Sequence, residues 1–251
     1  MTLVTPLEDI QNSAVDAKSD LATLLRKCKL LAARLGSQPL EDWVLWESNG
    51  YPDDVPVPQY RVWPLQVKGH FFGPGWSGVK NAPILHAYLP DNWRKWCQHY
   101  EYRQSIASVE AILSKDGQGA APVSTGDLAL ILGTNVYEYQ NCVQAWAEFG
   151  TSHLVELLNS VRNRILDFAL ALWKEAPSAG EIDINTPSTM EPKRVTQIFN
   201  TTVYGGSANL VGTSNASSIE FNIEMKDFPA LERVLIENRI TQDEYRNYRQ
   251  H

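Results

Sequence analysis

The stretch WVLWESNGYPDDVPVPQYRVW, residues 43–63, decides how the rest of the chain is read. It holds three Trp, two Tyr, three Pro and one Arg across a helix end and the loop that follows. Gly50 after Asn49 is a natural helix stop, because glycine past the last turn accepts the left-handed conformation that satisfies the final carbonyls. Beyond it, Pro52, Pro56 and Pro58 forbid helix and favour an extended, turning path. That path brings Tyr60, Arg61 and Trp63 back to the body of the protein. The aromatics then either plug the end of a helical bundle or form a ligand-binding wall with Arg61 as an anion or base contact. The candidate ligand residues here are Trp43, Trp46, Glu47, Asn49, Tyr51, Tyr60, Arg61 and Trp63.

Upstream, Thr5, Pro6 and Glu8 form a capping box that opens a helix. Apolar residues at Leu7, Ile10, Ala14, Ala17, Leu21, Leu24, Cys28, Leu31 and Leu35 alternate by three and four, which predicts one long helix up to Gly36. Ser37 and Pro39 start the next. Downstream, the glycines and prolines of residues 64–90 predict a short β or irregular insert. HFFGPGWSG, residues 70–78, lacks the G-K-[ST] of a phosphate loop and reads as a turn cluster. A helix is expected from Asp91 or Asn92 to Leu113, a short one near 127–132, then a segment over 136–149. Thr151 or Ser152 opens a long helix whose stripe is Leu154, Leu158, Val161, Ile165, Phe168 and Leu172. Arg162, Arg164 and Asp167 lie on its other face, where a solvated charged surface is the ordinary fate; they complete the candidate ligand set.

After Pro177 the composition turns to Pro, Ser and Thr, as in a linker, 177–195. Residues 196–224 are rich in β-branched residues, Asn, Ser and Gly and predict a β-ribbon. A lone ribbon is marginal in water, so Ile198, Phe199, Val203, Tyr204, Leu210, Val211, Ile219, Phe221 and Ile223 are candidates for pairing with other copies. Residues 225–251 read as a helical tail. The expected fold is therefore mainly α: a helical domain over 1–176 with a short β or irregular insert, plus a small C-terminal β-rich oligomerisation ribbon and a helical tail.

The 251 residues carry a net charge of -7 and a pI near 5.3, which argues against a duplex-DNA binder. Cys28, Cys97 and Cys142 are unpatterned, and with no signal peptide they point to reduced thiols in the cytoplasm. No apolar run has the length of a bilayer span. The histidines are scattered without metal-ligand spacing, and Cys97 with His99 lacks a second pair. No cofactor or metal is expected, and no catalytic residue can be assigned; the reading leans away from an enzyme. A paired-carboxylate hydrolase would need Glu47, Asp53 and Asp54 to meet.

Several ordered stretches resemble the AbiTii family of bacterial abortive-infection, phage-resistance proteins. They are LLRKCKLLAARLG (24–36), EDWVLWESNGY with PQYR (41–61), GHFFGPGWSG with NAPILHAYLP (69–90), SVRNRILDFALALWKE (160–175) and TTVYGGSANL (201–210). The recurrent positions carried over are Trp43, Glu47, Asn49, Gly50, Tyr51, Tyr60, Arg61, Arg162, Asn163, Arg164 and Asp167. The resemblance implies a component of an anti-phage defence, acting as a self-associating sensor, scaffold or effector, with a defence partner protein or a phage component as possible partners. The alternatives are a protein that binds a small nucleotide-like signal, in defence or counter-defence, and a metal-dependent effector nuclease.

Overall fold

The computed structural model describes residues 5–16, 18–116, 119–177, 190–204, 209–214 and 217–222. In chain order these form α1 (Pro6–Val15), α2 (Leu21–Leu35), α3 (Gln38–Asn49), β1 (Val62–Trp63), β2 (Gln66–Phe72), β3 (Gly78–Ile84), α4 (Asp91–Gln98), β4 (Tyr100–Glu101), α5 (Ile106–Asp116), β5 (Ala120–Val123), α6 (Leu128–Leu132), β6 (Asn141–Gly150), α7 (Ser152–Glu175), α8 (Pro192–Val203), β7 (Asn209–Ser214) and β8 (Ser217–Asn222). The expected helical tail and residues 178–189 of the linker lie outside the described residues.

The mainly helical expectation is corrected by the sheet. β3, β2, β6 and β5 form a four-stranded antiparallel sheet in that order. The supposed insert supplies its hairpin, and the segment after α6 supplies its longest strand, so the fold is α with β rather than a helical bundle with a decoration. One face carries Val67, Phe71, Ala82, Ile84, Ala147 and Phe149, all buried. The other holds the Lys68–Glu148 ion pair at 2.5 Å and His70 edge-on to Trp146, centroids 5.0 Å apart. Gly69 sits where β2 changes register; a Cβ there would lie 2.7 Å from the Gln144 carbonyl oxygen, so only glycine fits. The turn cluster 73–77 is the loop of the β2–β3 hairpin, closed by the Gly73 N–H donating to the Ser77 carbonyl at 2.8 Å.

Three further expectations change. The long helix over 7–35 is two helices, because Asp20 Oδ1 accepts the Thr23 N–H at 2.7 Å and starts α2 afresh. The helix over 92–113 is likewise α4 and α5, with Ser105 Oγ accepting the Ser108 N–H at the new start. Residues 192–203, expected to run from linker into β-ribbon, are helix α8. Its Val195, Ile198, Phe199 and Val203 recur at the three-and-four spacing of one helix face and are all buried. Burial of that stripe overrides their β-branched preference. The ribbon proper is the hairpin of β7 and β8, registered from Asn209 opposite Asn222 to Ser214 opposite Ser217.

The chain divides into two compact units. One comprises Met1–Ala17, Lys27–Asp42 and Arg164–His251. Its core includes Leu7, Ile10, Leu31, Leu35, Ile165, Phe168, Leu172 and the buried stripe of α8, with Phe168 and Phe199 meeting edge to face at 6.2 Å. Gln11 Nε2 donates to the Ala169 carbonyl, and the Ser37 and Thr196 hydroxyls share a hydrogen bond of 2.8 Å. The other unit comprises Lys18–Arg26 and Trp43–Asn163. It contains the four-stranded sheet, the small β1–β4 pair and the residues 43–63. Among the described residues no helix is long and apolar enough to cross a membrane.

Candidate functional site

The second unit holds two aromatic regions of opposite character. The first is built by residues 43–63. α3 ends at Asn49, and Gly50 takes φ +98 while its N–H donates to the Trp46 carbonyl. A Cβ on Gly50 would meet the Arg103 carbonyl oxygen at 2.9 Å. The chain passes its prolines and makes a single 3-10 turn over Gln59–Arg61, which drives Arg61 inward.

Arg61 and Glu47 are both fully buried. The guanidinium grips the carboxylate two-pronged, Nη2 to Oε2 at 2.5 Å and Nε to Oε1 at 3.2 Å. Its Nη1 donates to the carbonyls of Tyr102 at 3.0 Å and Gln104 at 2.9 Å. Glu47 Oε1 also accepts from the hydroxyls of Tyr51 at 2.8 Å and Tyr60 at 2.7 Å. The Tyr60 oxygen in turn accepts the Trp43 indole N–H at 2.9 Å. The Arg61 carbon Cζ lies 4.9 Å from the Tyr51 ring centroid. Burial, reinforced by the Glu47 charge, pushes both phenols well above their ordinary value of 10.0. Burial opposes the Arg61 charge, but Glu47 outweighs it and holds Arg61 protonated.

Chemically this cluster is closed. The Arg61 fork is committed to a carboxylate and two carbonyls, and each Glu47 oxygen has its donors. A buried charge pair satisfied in this way fixes one arrangement of the elements around it. Asp53 and Asp54 are exposed, so they are not brought to the buried Glu47. Of the other candidates, Trp46 is half-buried with its ring 5.8 Å from Tyr51, and Asn49 is exposed. Trp63 lies deeper, stacked with Tyr102 at 5.3 Å and His153 at 5.3 Å. Arg162 Nη2 donates to the Ser19 carbonyl at 2.7 Å and Arg164 Nε to the Val203 carbonyl at 2.7 Å, so both pin backbone. Asp167 is exposed. Of the oligomerisation set, Ile198, Phe199 and Val203 are buried in α8 and Tyr204 is exposed just past it. Leu210 and Val211 lie on β7, Ile219 and Phe221 on β8, and Ile223 outside the described residues.

The second aromatic region escaped the sequence reading as a site. α4 sets Trp93 and Trp96 one turn apart, edge to face at 5.4 Å. With Asn92 and Ser124 they line an open cavity of about 250 Å³. Behind them Trp96 meets Tyr100 at 5.5 Å, and Tyr100 stacks on Phe149 at 6.1 Å. The signal was DNWRKWC, a charged helix with indoles repeated at one-turn spacing, which reads equally well as a core stripe. Among the described residues no cluster of His, Cys, Asp or Glu could hold a metal. The three cysteines are unbridged and buried, and burial raises the Cys28 thiol to about 12.

A search of the curated proteins and a search of the solved structures each found no match. The AbiTii family model matches residues 7–198, which takes in α1 to α7 and most of α8. The chain belongs to the AbiTii family of abortive-infection proteins.

Proposed function

We propose that this protein is a self-associating component of an abortive-infection defence, with its C-terminal hairpin joining copies of the chain. The observation that carries the reading is the hairpin itself. β7 and β8 pair only with each other among the described residues, six residues on each strand. A two-stranded ribbon is marginal in water, and its outer edges, unpaired among the described residues, offer N–H and C=O groups to a further strand. Copies joined there present many recognition surfaces at once, and a weak contact with a phage component then becomes a tight one through effective concentration.

The Glu47–Arg61 cluster serves this function by holding the second unit together, and the protein needs no catalytic step for it. Native mass spectrometry of the full chain tests the reading. The wild-type protein is expected as a discrete multimer, and Val211→Pro with Glu220→Pro, which take the N–H groups from a facing pair, as a folded monomer that no longer protects cells from phage. A monomeric wild-type chain, or a multimer that survives both prolines, overturns it.

A further inference from the structure

We propose that the cleft of Asn92, Trp93, Trp96 and Ser124 binds a free nucleobase-type heterocycle, as a base or nucleoside. This goes beyond self-association and does not depend on it. The cavity, about 250 Å³, is smaller than the roughly 300–1,000 Å³ of sites for drug-sized ligands. It therefore suits one ring system with a small substituent. Two of the four described residues that line it are indoles, held at 89° to each other. A flat ring laid on one indole face would turn its own edge to the face of the second, the two contacts that aromatic quadrupoles favour.

The wall is rigid before any ligand arrives. Trp96 is braced by Tyr100, and Tyr100 by Phe149 and Trp63. The backbone of α4 is tied down where the Leu65 N–H donates to the Cys97 carbonyl at 2.7 Å. Beside Ser124, buried Thr125 donates its hydroxyl to the Ala145 carbonyl at 2.8 Å, which pins the loop that carries Ser124. Binding thus orders little and loses little entropy.

The polar groups select the ligand class. The Asn92 amide offers a donor and an acceptor side by side, and the Ser124 hydroxyl either role. A carboxamide of this kind matches the paired donor and acceptor on a base edge. Among the described residues no lysine, arginine or histidine lines the cleft, and the chain carries a net charge of -7. A phosphate finds no cation among those lining residues, so the free base or nucleoside is favoured over a nucleic-acid strand, whose affinity comes largely from its phosphates.

Isothermal titration calorimetry on the full chain tests this, with adenosine, guanosine, cytidine and uridine as probes, and with maltotriose and single-stranded hexanucleotides as competitors for the assignment. At least one nucleoside is expected to bind saturably, with affinity little changed between low and high salt. Trp96→Ala should abolish that binding. Ser124→Leu, at an exposed position, should weaken it tenfold or more. No binding by any nucleoside, binding untouched by Ser124→Leu, binding of maltotriose alone, or tighter salt-dependent binding of the hexanucleotides would each overturn the proposal. Monomer or multimer, the titration reads the cleft alone, so its failure is separable from failure of the self-association reading.

Discussion

The cluster at residues 43–63 and the cleft at α4 are made of the same materials, yet one is sealed and the other open. Around Glu47 and Arg61, the Tyr51 and Tyr60 hydroxyls donate to the carboxylate and the Trp43 indole N–H donates to the Tyr60 oxygen. At α4 the indoles are half-buried and the polar groups beside them, on Asn92 and Ser124, are exposed. Aromatic density and an arginine are therefore poor guides to a binding site. What separates core from site is whether the polar atoms are already spent on one another.

The largest effect that sharpens this comparison comes from Arg61. In the sealed region its removal strands the buried Glu47 charge, and breaking a buried pair costs about 3–5 kcal/mol. Arg61→Met should lower the unfolding free energy by that order in urea titration. The double variant Glu47→Met with Arg61→Met should recover part of the loss, since no lone charge remains. An Arg61→Met protein within about 1 kcal/mol of wild type, the behaviour of a surface arginine, would break the comparison.

A second, smaller effect concerns alkaline stability. Tyr51 and Tyr60 hold their protons well above the ordinary 10.0 because of burial and the Glu47 charge. Below that value both states keep the phenolic protons and the full contribution is present. Above it the unfolded chain releases protons that the native state retains, so stability falls as pH rises. Each such phenol costs about 1.4 kcal/mol per pH unit in that range. Unfolding free energies measured between pH 9 and roughly 11 should therefore drop more steeply for wild type than for Tyr51→Phe with Tyr60→Phe. Equal slopes would mean that these hydroxyls titrate as exposed ones do.

Single element ends were legible where a local group decides them. The Thr5–Glu8 capping box, the Gly50 stop and the start of α7 each depend on one or two residues near in sequence, and each stands where the residues place it. The sheet was not legible because its longest strand, NCVQAWAEFG, carries a register shift opposite His70 and Phe71 that spoils the period-two pattern. α8 was misread because Val195, Ile198 and Phe199 are good strand residues whose helical spacing matters only once a core covers that face. The partnership of Glu47 with Arg61 joins residues across a proline loop, and nothing local announces it. Trp93 and Trp96 were legible as a pair on one helix face, but their cleft needs Ser124, which arrives from beyond β5.

The smallest expected effect distinguishes two tyrosines on either side of the sealed region. Tyr60 donates to Glu47 and accepts from Trp43, so Tyr60→Phe loses a charged hydrogen bond and leaves the indole N–H without that acceptor, a cost of about 1–3 kcal/mol. Tyr102 is equally aromatic and is buried, but its hydroxyl has no hydrogen-bond partner among the described residues. Burial, with a further push from Tyr100, raises its phenol to about 12. Tyr102→Phe removes a desolvated polar atom and keeps the ring on Trp63, and the backbone carbonyl that serves Arg61 is untouched. Its unfolding free energy should be unchanged or higher by up to about 1 kcal/mol in the same urea titration. A loss of about 1 kcal/mol or more would mean the Tyr102 hydroxyl is held by a group of its own. The Trp63 indole N–H beside it is likewise buried and unpartnered among the described residues.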